Sequence, residues 1–480
     1  MTAWFFILSP PALPVADMSG PSFMSAAKIA DVAEAEAFLA ANSDVVQFEC
    51  FLTDCSGVQR GKILRRSELL GAYRAGRPLP CSVLSLDIKG ADVEETGLLW
   101  EQGDADRMCR PVAGTLVRSP WRQAPTAQFL LTSFEGDGTG SASDPRHALA
   151  RVVDEARSLG FRPVAAVELE FYLIDGRAAA EGRVVPPAAP NGFRQTDLQA
   201  YLVQDLSDFS EFLEAVYAAA EVAGLPARTL ISEYSPGQFE IVLEHRDDAL
   251  RAADDAILWK RLVKGVAERH GFVATFMAKP YEAFAGSGAH FHVSLCDEAG
   301  NNLFAGSEPE GNALLRHAIA GLEATMAESM AIFAPNANSF RRFKPNSYAP
   351  LGPAWAMDNR SVPIRVTGGP PQARHLEQRV AGADANPYLA LATVIAGMIE
   401  GIEAKREPSK PVTGNGYSQV PPSLPRFWPE ALRRARSSDF LKRRLGERLT
   451  DIYLTIKETE CDRFFAEVSD RDIHWYLRLA

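Results

Sequence analysis

Between Val164 and Leu173 apolar and charged residues alternate: Val167, Leu169, Phe171 and Leu173 take the odd positions, Glu168 and Glu170 the even ones between them. Successive side chains of a strand point to opposite faces, so this segment predicts a strand with one face in a core and two carboxylates together on the other. The same period returns in Gly286–Leu295, where Ala289, Phe291, Val293 and Leu295 form the apolar set and His290, His292 and Ser294 share the opposite face. In Glu233–Glu240, Pro236-Gly237 predicts a turn that brings Glu233 and Glu240 toward each other, with Phe239, Ile241 and Leu243 buried opposite Glu240. Arg374–Val380 predicts a fourth strand carrying Glu377 and Arg379 on one face.

Helical periodicity surrounds these strands. Asp144 as cap and Pro145 at the first position open a helix with Leu149, Val152, Val153, Ala156 and Leu159 on one face, closed by Gly160. Further helices are predicted over 208–223, 248–270 and 387–405, the last opening with Asn386-Pro387. Near the N-terminus an alanine-rich helix over 26–41 precedes a strand over 45–52 and a turn at Asp54–Gly57, and another strand covers 128–134. Gly136–Ser141 reads as a linker, which divides the chain into a small mixed domain over 25–138 and a larger catalytic one over 139–480. Residues 1–24 read as a disordered extension: Trp4–Leu8 is too short and too lacking in basic flanks for a secretion signal, and Met18 and Met24 both precede the first regular pattern.

Composition narrows the function. With 46% hydrophobic and 23% charged residues over 480 positions, the chain is globular, and a net charge of -11 argues against nucleic acid or an anionic membrane as partner. Six scattered cysteines, none in a CxxC pair, predict a reducing cytoplasmic setting.

A lone E-x-E on a strand is usually a solvated face, and Glu377 with Arg379 alone would be a surface ion pair. Here Glu168, Glu170, Glu233, Glu240, Glu377, His290 and His292 all lie opposite apolar faces or in adjoining turns, and Asn338–Phe343 and Asn359–Arg365 add arginines. Carboxylates with one imidazole suit Mg²⁺ or Mn²⁺ better than zinc. Glu168, Glu170, Glu233, Glu240, His290 and Glu377 are therefore expected to form one two-cation site, and cations beside arginine forks describe phosphoryl transfer.

V-E-L-E-F-Y-L, E-Y-S-P-G-Q-F-E, G-S-G-A-H-F-H-V-S-L, N-R-S-V-P-I-R and L-E-Q-R-V-A-G-A-D-A-N-P-Y-L-A occur in that order, and together they resemble the glutamine synthetase superfamily. The resemblance implies a small β-grasp N-terminal domain and a catalytic domain whose curved antiparallel sheet, flanked by helices, holds the metals. It also implies homo-oligomeric stacked hexameric rings with active sites between subunits, with ATP and glutamate as substrates. By motif, Glu170, Glu233 and Glu240 resemble the ligands of one metal, and Glu168, His290 and Glu377 those of the nucleotide-side metal. His292, Ser294, Arg360 and Arg365 resemble residues that contact the nucleotide or its transferred phosphate, Arg360 and Arg342 acting also in catalysis. Gly286, Arg342 and Arg379 resemble those that hold glutamate.

Three departures concern the amine. Where ammonia-using members read G-Y-E-A-P this chain reads Asn346-Ser-Tyr-Ala-Pro350, so Tyr348 takes the place of the acidic residue. The D-G-S-S segment is replaced around Cys81–Asp87, and Ala285 precedes G-S-G where asparagine is the family residue. Deprotonating ammonium needs a base and an anionic pocket. Their loss, with every metal ligand kept, points to the branch that joins glutamate to a larger amine, a polyamine or ethanolamine. The alternatives are glutamine synthesis from ammonia, a metal amidohydrolase, which would leave the arginines without a purpose, a guanidino kinase, which would leave the glutamate-side motifs unexplained, and an inactive structural or regulatory ring, which would not need the ligands.

Overall fold

The computed structural model describes residues 27–306, 308 and 310–480, so the expected extension over 1–24 lies outside the described residues. Two sheets organise them. The first holds β1 (Gln47–Thr53), β2 (Gln59–Arg65), β3 (Arg77–Pro80), β4 (Asp106–Pro111), β5 (Val117–Arg118) and β6 (Thr126–Phe134) in the order β2-β1-β6-β4-β3, with β5 beside β6. Within it β1 and β6 run parallel.

The second holds β7 (Arg162–Asp175), β8 (Ala227–Ser232), β9 (Gln238–Leu243), β10 (Phe272–Thr275), β11 (Ala289–Cys296), β12 (Trp355–Met357), β13 (Ile364–Val366) and β14 (Leu376–Gln378), ordered β12-β13-β14-β11-β7-β9-β8 with β10 on β7. It is antiparallel as expected except at one edge, where β12 and β13 run parallel because residues 358–363 double back before β13 starts. The strand predicted over Arg374–Val380 keeps ladder geometry only at Leu376–Gln378, which leaves Arg379 just past its end, where its N–H donates to Pro363 O.

The apolar face of this sheet packs on three helices, Pro145–Ser158, Ala249–Arg269 and Pro387–Glu403, each within a few residues of its predicted bounds. Phe171, Phe239, Phe291 and Trp259 are fully buried there. Asp144 and Asn386 cap their helices as their positions predict, each accepting from backbone N–H groups of the first turn. The helix predicted over 26–41 begins only at Val32, after Asp31 as cap.

The glycine-rich run expected to be a linker is a tight turn. Glu135 N donates to Thr139 O and Ser141 N to Ser133 O, and Asp144 also accepts from Thr132 Oγ1 and Ser133 N, so the chain folds straight back onto β6. The two sheets are joined through the helix Ala249–Arg269, whose Arg261 lies over the Phe51 ring and donates to Gln128 Oε1, and through Asn386, whose Nδ2 donates to Asp54 O.

The helices meet at a buried ion pair. Arg146, 4% exposed, donates through Nε and Nη2 to Asp254, 2% exposed, whose Oδ1 also accepts from Tyr388 OH at 2.7 Å. Removing one partner strands the other charge in the core. Asp254→Ala should therefore lower unfolding free energy by about 3–5 kcal/mol, measured by denaturant titration; a loss of a few tenths would refute the assignment.

Candidate metal and phosphate site

Cross-strand register assembles the site. On β7, Glu168 faces His290 of β11 and Glu170 faces Glu240 of β9; on β11, His292 faces Glu377 of β14, which in turn faces Arg365 of β13. Directly opposed residues in an antiparallel pair have Cβ atoms about 4.5–5.5 Å apart. Five neighbouring strands thus lay their polar positions in one row.

The row contains two groups whose ligand atoms lie within 4.8 Å of one another: Glu168, His290 and Glu377, and Glu170, Glu240 and His290. His290 lies between them, Nδ1 being 3.2 Å from Glu168 and 3.6 Å from Glu377, and Nε2 3.9 Å from Glu170. Glu233, at the start of the β8–β9 turn, lies outside both groups but close enough to act electrostatically on Glu240.

The electrostatics divide the carboxylates. Burial pushes the Glu240 carboxyl up to about 10, reinforced by Glu168, Glu170 and Glu233 and opposed by Arg360. Burial and then Glu170 push Glu233 up to about 7. For Glu377 burial works upward but is outweighed by Arg379, His290, His292 and Arg365, which bring it to about 2. For Glu168, half-buried, desolvation also works upward, yet His292 and His290 hold it well below the ordinary carboxylate range. Buried acidic side chains close to one another, with a single imidazole among them, fit hard divalent cations such as Mg²⁺ or Mn²⁺.

Arginines close the row. Arg365 Nη1 donates to Glu377 Oε2 at 2.6 Å and Arg379 donates to Oε1 of the same carboxylate. Arg360 is near enough to Glu233, Glu240 and Tyr201 to oppose their upward shifts. Arg342 reaches the row through Gly288: a Cβ there would lie 2.9 Å from His290 Nε2, 3.3 Å from Arg342 Nη2 and 3.4 Å from Glu170 Oε1. A side chain at Gly288 would have to displace one or more of these three groups. Gly286 packs likewise, its missing Cβ falling 2.6 Å from Arg342 Cγ.

His292 and Ser294 line a cavity of about 960 Å³ next to Glu168, together with Arg162, Arg228 and His375. Tyr348 stands apart, 60% exposed, in a loop where it and Asn346 both have φ of 57°. Ser347 Oγ holds that loop by donating to the carbonyls of Arg342 and Lys344.

Three residues of the site were not singled out from sequence. Gln238 donates to Glu170 Oε2 and to Gly286 O, and its place two residues before Glu240 was the available signal. His375 Nε2 lies 3.0 Å from His292 Nδ1, two residues before Glu377. Tyr201, exposed and at φ 60°, sits among Glu233, Arg360, Glu240 and Glu170, and nothing in its sequence surroundings marks it.

Comparison with known proteins agrees with this geometry. Residues 142–476 match the family described as glutamine synthetase, catalytic domain. The chain belongs to the glutamine synthetase family. It is 41% identical over 433 residues to gamma-glutamylputrescine synthetase PuuA of Escherichia coli K12, covering 90% of this chain and 92% of that one. It is 30% identical over 476 residues to gamma-glutamylethanolamide synthetase GlnA4 of Streptomyces coelicolor, covering 97% of each. The fold superposes on a solved structure of apo GmaS without ligand with a TM-score of 0.80 and 26% identity, over 92% of this chain and 99% of that one. The branch expected from the motifs is the one these relatives occupy.

The pH dependence of stability follows from the raised pair. In the metal-free fold Glu233 and Glu240 hold protons that the unfolded chain releases near 4.5, so the stability they contribute is full below 4.5 and is lost as pH rises to about 7 and on to about 10. Glu168 and Glu377, with lowered values, contribute stability that is full above 4.5 and is lost only as pH falls below it, so they do not shape this window. Melting temperature in chelator should fall across that neutral-to-alkaline window, Mn²⁺ should flatten the fall, and Glu240→Gln should make it shallower without metal. An unchanged slope in Glu240→Gln would contradict the assignment.

Proposed function

We propose that the protein is an ATP-dependent ligase joining the γ-carboxylate of glutamate to an amine larger than ammonia, a polyamine, ethanolamine or a similar compound, through a γ-glutamyl phosphate. The observation that carries this is the row from Glu240 to Arg365, with Arg342 brought to its edge at Gly288.

Glu170, Glu233 and Glu240 would hold one divalent cation, Mg²⁺ or Mn²⁺, and Glu168, His290 and Glu377 a second. When bound, the cations neutralise charge on the nucleotide phosphates. The residues of the chain supply position and the remaining charge. Arg342, Arg379 and the backbone at Gly286 hold the glutamate, while His292 and Ser294 in the 960 Å³ cavity face the nucleotide. Arg360 and Arg365 offset the charge that builds as a γ-carboxylate oxygen bonds to the γ-phosphorus and the bond to ADP breaks. The amine nitrogen then bonds to the acyl carbon, inorganic phosphate leaves with the C–O bond electrons, and the nitrogen gives up a proton.

The relatives' names support the choice of amine, since PuuA and GlnA4 are named for putrescine and ethanolamine products. Tyr348 supports it too, because a phenol at an exposed loop position replaces the anionic base that ammonium would need. We assign residues 25–138 to the β-grasp-like domain and 139–480 to the catalytic one, in stacked hexameric rings. Support for assembly comes from the C-terminal stretch, where Phe465, Trp475, Leu477 and Leu479 are exposed apolar side chains. We place the enzyme in the cytoplasm, supported by six cysteines that are all buried and free; among the described residues no helix is long and apolar enough to cross a membrane.

Release of ADP with glutamate plus ammonium, putrescine, spermidine or ethanolamine tests the reading: one of the larger amines should give the highest kcat/KM, and ammonium as the best substrate would sink it. Glu377→Gln should reduce ADP release with every amine by roughly 10²-fold or more, as loss of a charge-organising group does. Retained activity would remove Glu377 from the site.

A further inference from the structure

The loops around Arg342 converge on a carboxylate that the reaction itself does not use. Asp384 lies in the turn between β14 and the helix Pro387–Glu403. Its Oδ2 accepts from Asn336 Nδ2 at 2.8 Å and from Ser339 Oγ at 2.7 Å. Asn336 Oδ1 in turn accepts from the backbone N–H groups of Asn338 and Ser339, which fixes the short helix Ser339–Arg342 that ends on Arg342. Asn338 carries the tie further, exchanging hydrogen bonds with both backbone groups of Lys279. The segment from Lys279 leads to Gly286, and Ala383 N donates to Ser287 O. One carboxylate thus anchors three loops at the same end of the site.

Its other oxygen has no hydrogen-bond partner although it is buried. A Cβ on Gly382 would fall 2.3 Å from Asp384 Oδ1 and 3.3 Å from Arg342 Nη1, so the two charged groups border one small space. Arg342 is 6% exposed, and Nη1 donates to Val380 O at 3.1 Å. Burial lowers its pKa, and the carboxylates that oppose the shift are Glu170 and Asp384. Glu170 belongs to the acidic row, where a bound cation would claim its charge. Asp384 is then the carboxylate left to balance a desolvated guanidinium, which otherwise is costly to keep charged and in place.

We propose that Asp384 is a positioning residue for the carboxylate substrate: it fixes the Arg342 turn by hydrogen bonds and balances the guanidinium by charge, without touching substrate. This rests on the assignment of Arg342 to glutamate. Asp384→Asn keeps the shape and removes the charge. In the full-length enzyme it should raise KM for glutamate about tenfold, while kcat and KM for ATP stay near wild type. An unchanged glutamate KM overturns the proposal, as does an equal rise in both KM values, which a merely structural residue would produce. Should Asp384→Asn fail to fold, Ser339→Ala keeps the charge and cuts one hydrogen bond; about a threefold rise in glutamate KM upholds the proposal and no change overturns it. If wild-type enzyme releases no ADP with glutamate, the ligase reading fails on its own. Calorimetric titration of wild type and Asp384→Asn with glutamate then decides, weaker binding by the variant upholding the role of Asp384 and equal affinity overturning it.

Discussion

Glu168 and Glu170 stand two residues apart on one strand, so they must share a face, and the other face of that strand is the core of the protein. Neither carboxylate can turn away without taking Leu169 or Phe171 out of its packing. Much of the site reads as a response to this fixed pair of negative charges. Strand β11 sets His290 opposite one of them and β9 sets Glu240 opposite the other. Beyond β11, β14 and β13 add Glu377 and Arg365 in the same line. Where cationic side chains are close the carboxylates stay ionised, as at Glu168 and Glu377. At Glu240 and Glu233 burial, reinforced by neighbouring carboxylates, favours the protonated form.

This division has a mechanistic meaning. The His290–Glu377 end is already balanced by arginine and imidazole, while the Glu170–Glu240 end carries an excess of acid that attracts a cation. Arg365 and Arg379 both rest on Glu377, so the groups expected to meet phosphate and glutamate are held by a common anchor. Each takes a different oxygen of that carboxylate, so one residue ties the two arginines together.

Much of this was legible in the sequence because a two-residue period states which side chains share a face, and register then follows from burying the apolar face. Glu168, Glu170, His290 and Glu377 were readable on that ground. Other features were not, for identifiable reasons. Glu233 was marked by the turn at Pro236-Gly237 and not by a period, and it lies outside the compact groups. The glycines of 136–140 look like a flexible joint by composition, but the hydrogen bonds from Glu135 and Ser141 close them into a tight turn. Tyr201 takes a left-handed backbone that a tyrosine does not advertise. Gln238 was overlooked although its spacing from Glu240 placed it on the polar face.

The Tyr348 loop is held by other means than strand register. It hangs from Ser347 and from Tyr417, whose hydroxyl donates to Ala349 O, and not from the ladder that sets the acidic row. On the proposed assignment, the phosphoryl half of the chemistry is written into a sheet, where a change disturbs a core, and the nucleophile half into a loop that is exposed at Tyr348. That proposed division makes the design modular: the amine can in principle be changed at a few exposed positions, while the row that activates the acid stays as it is.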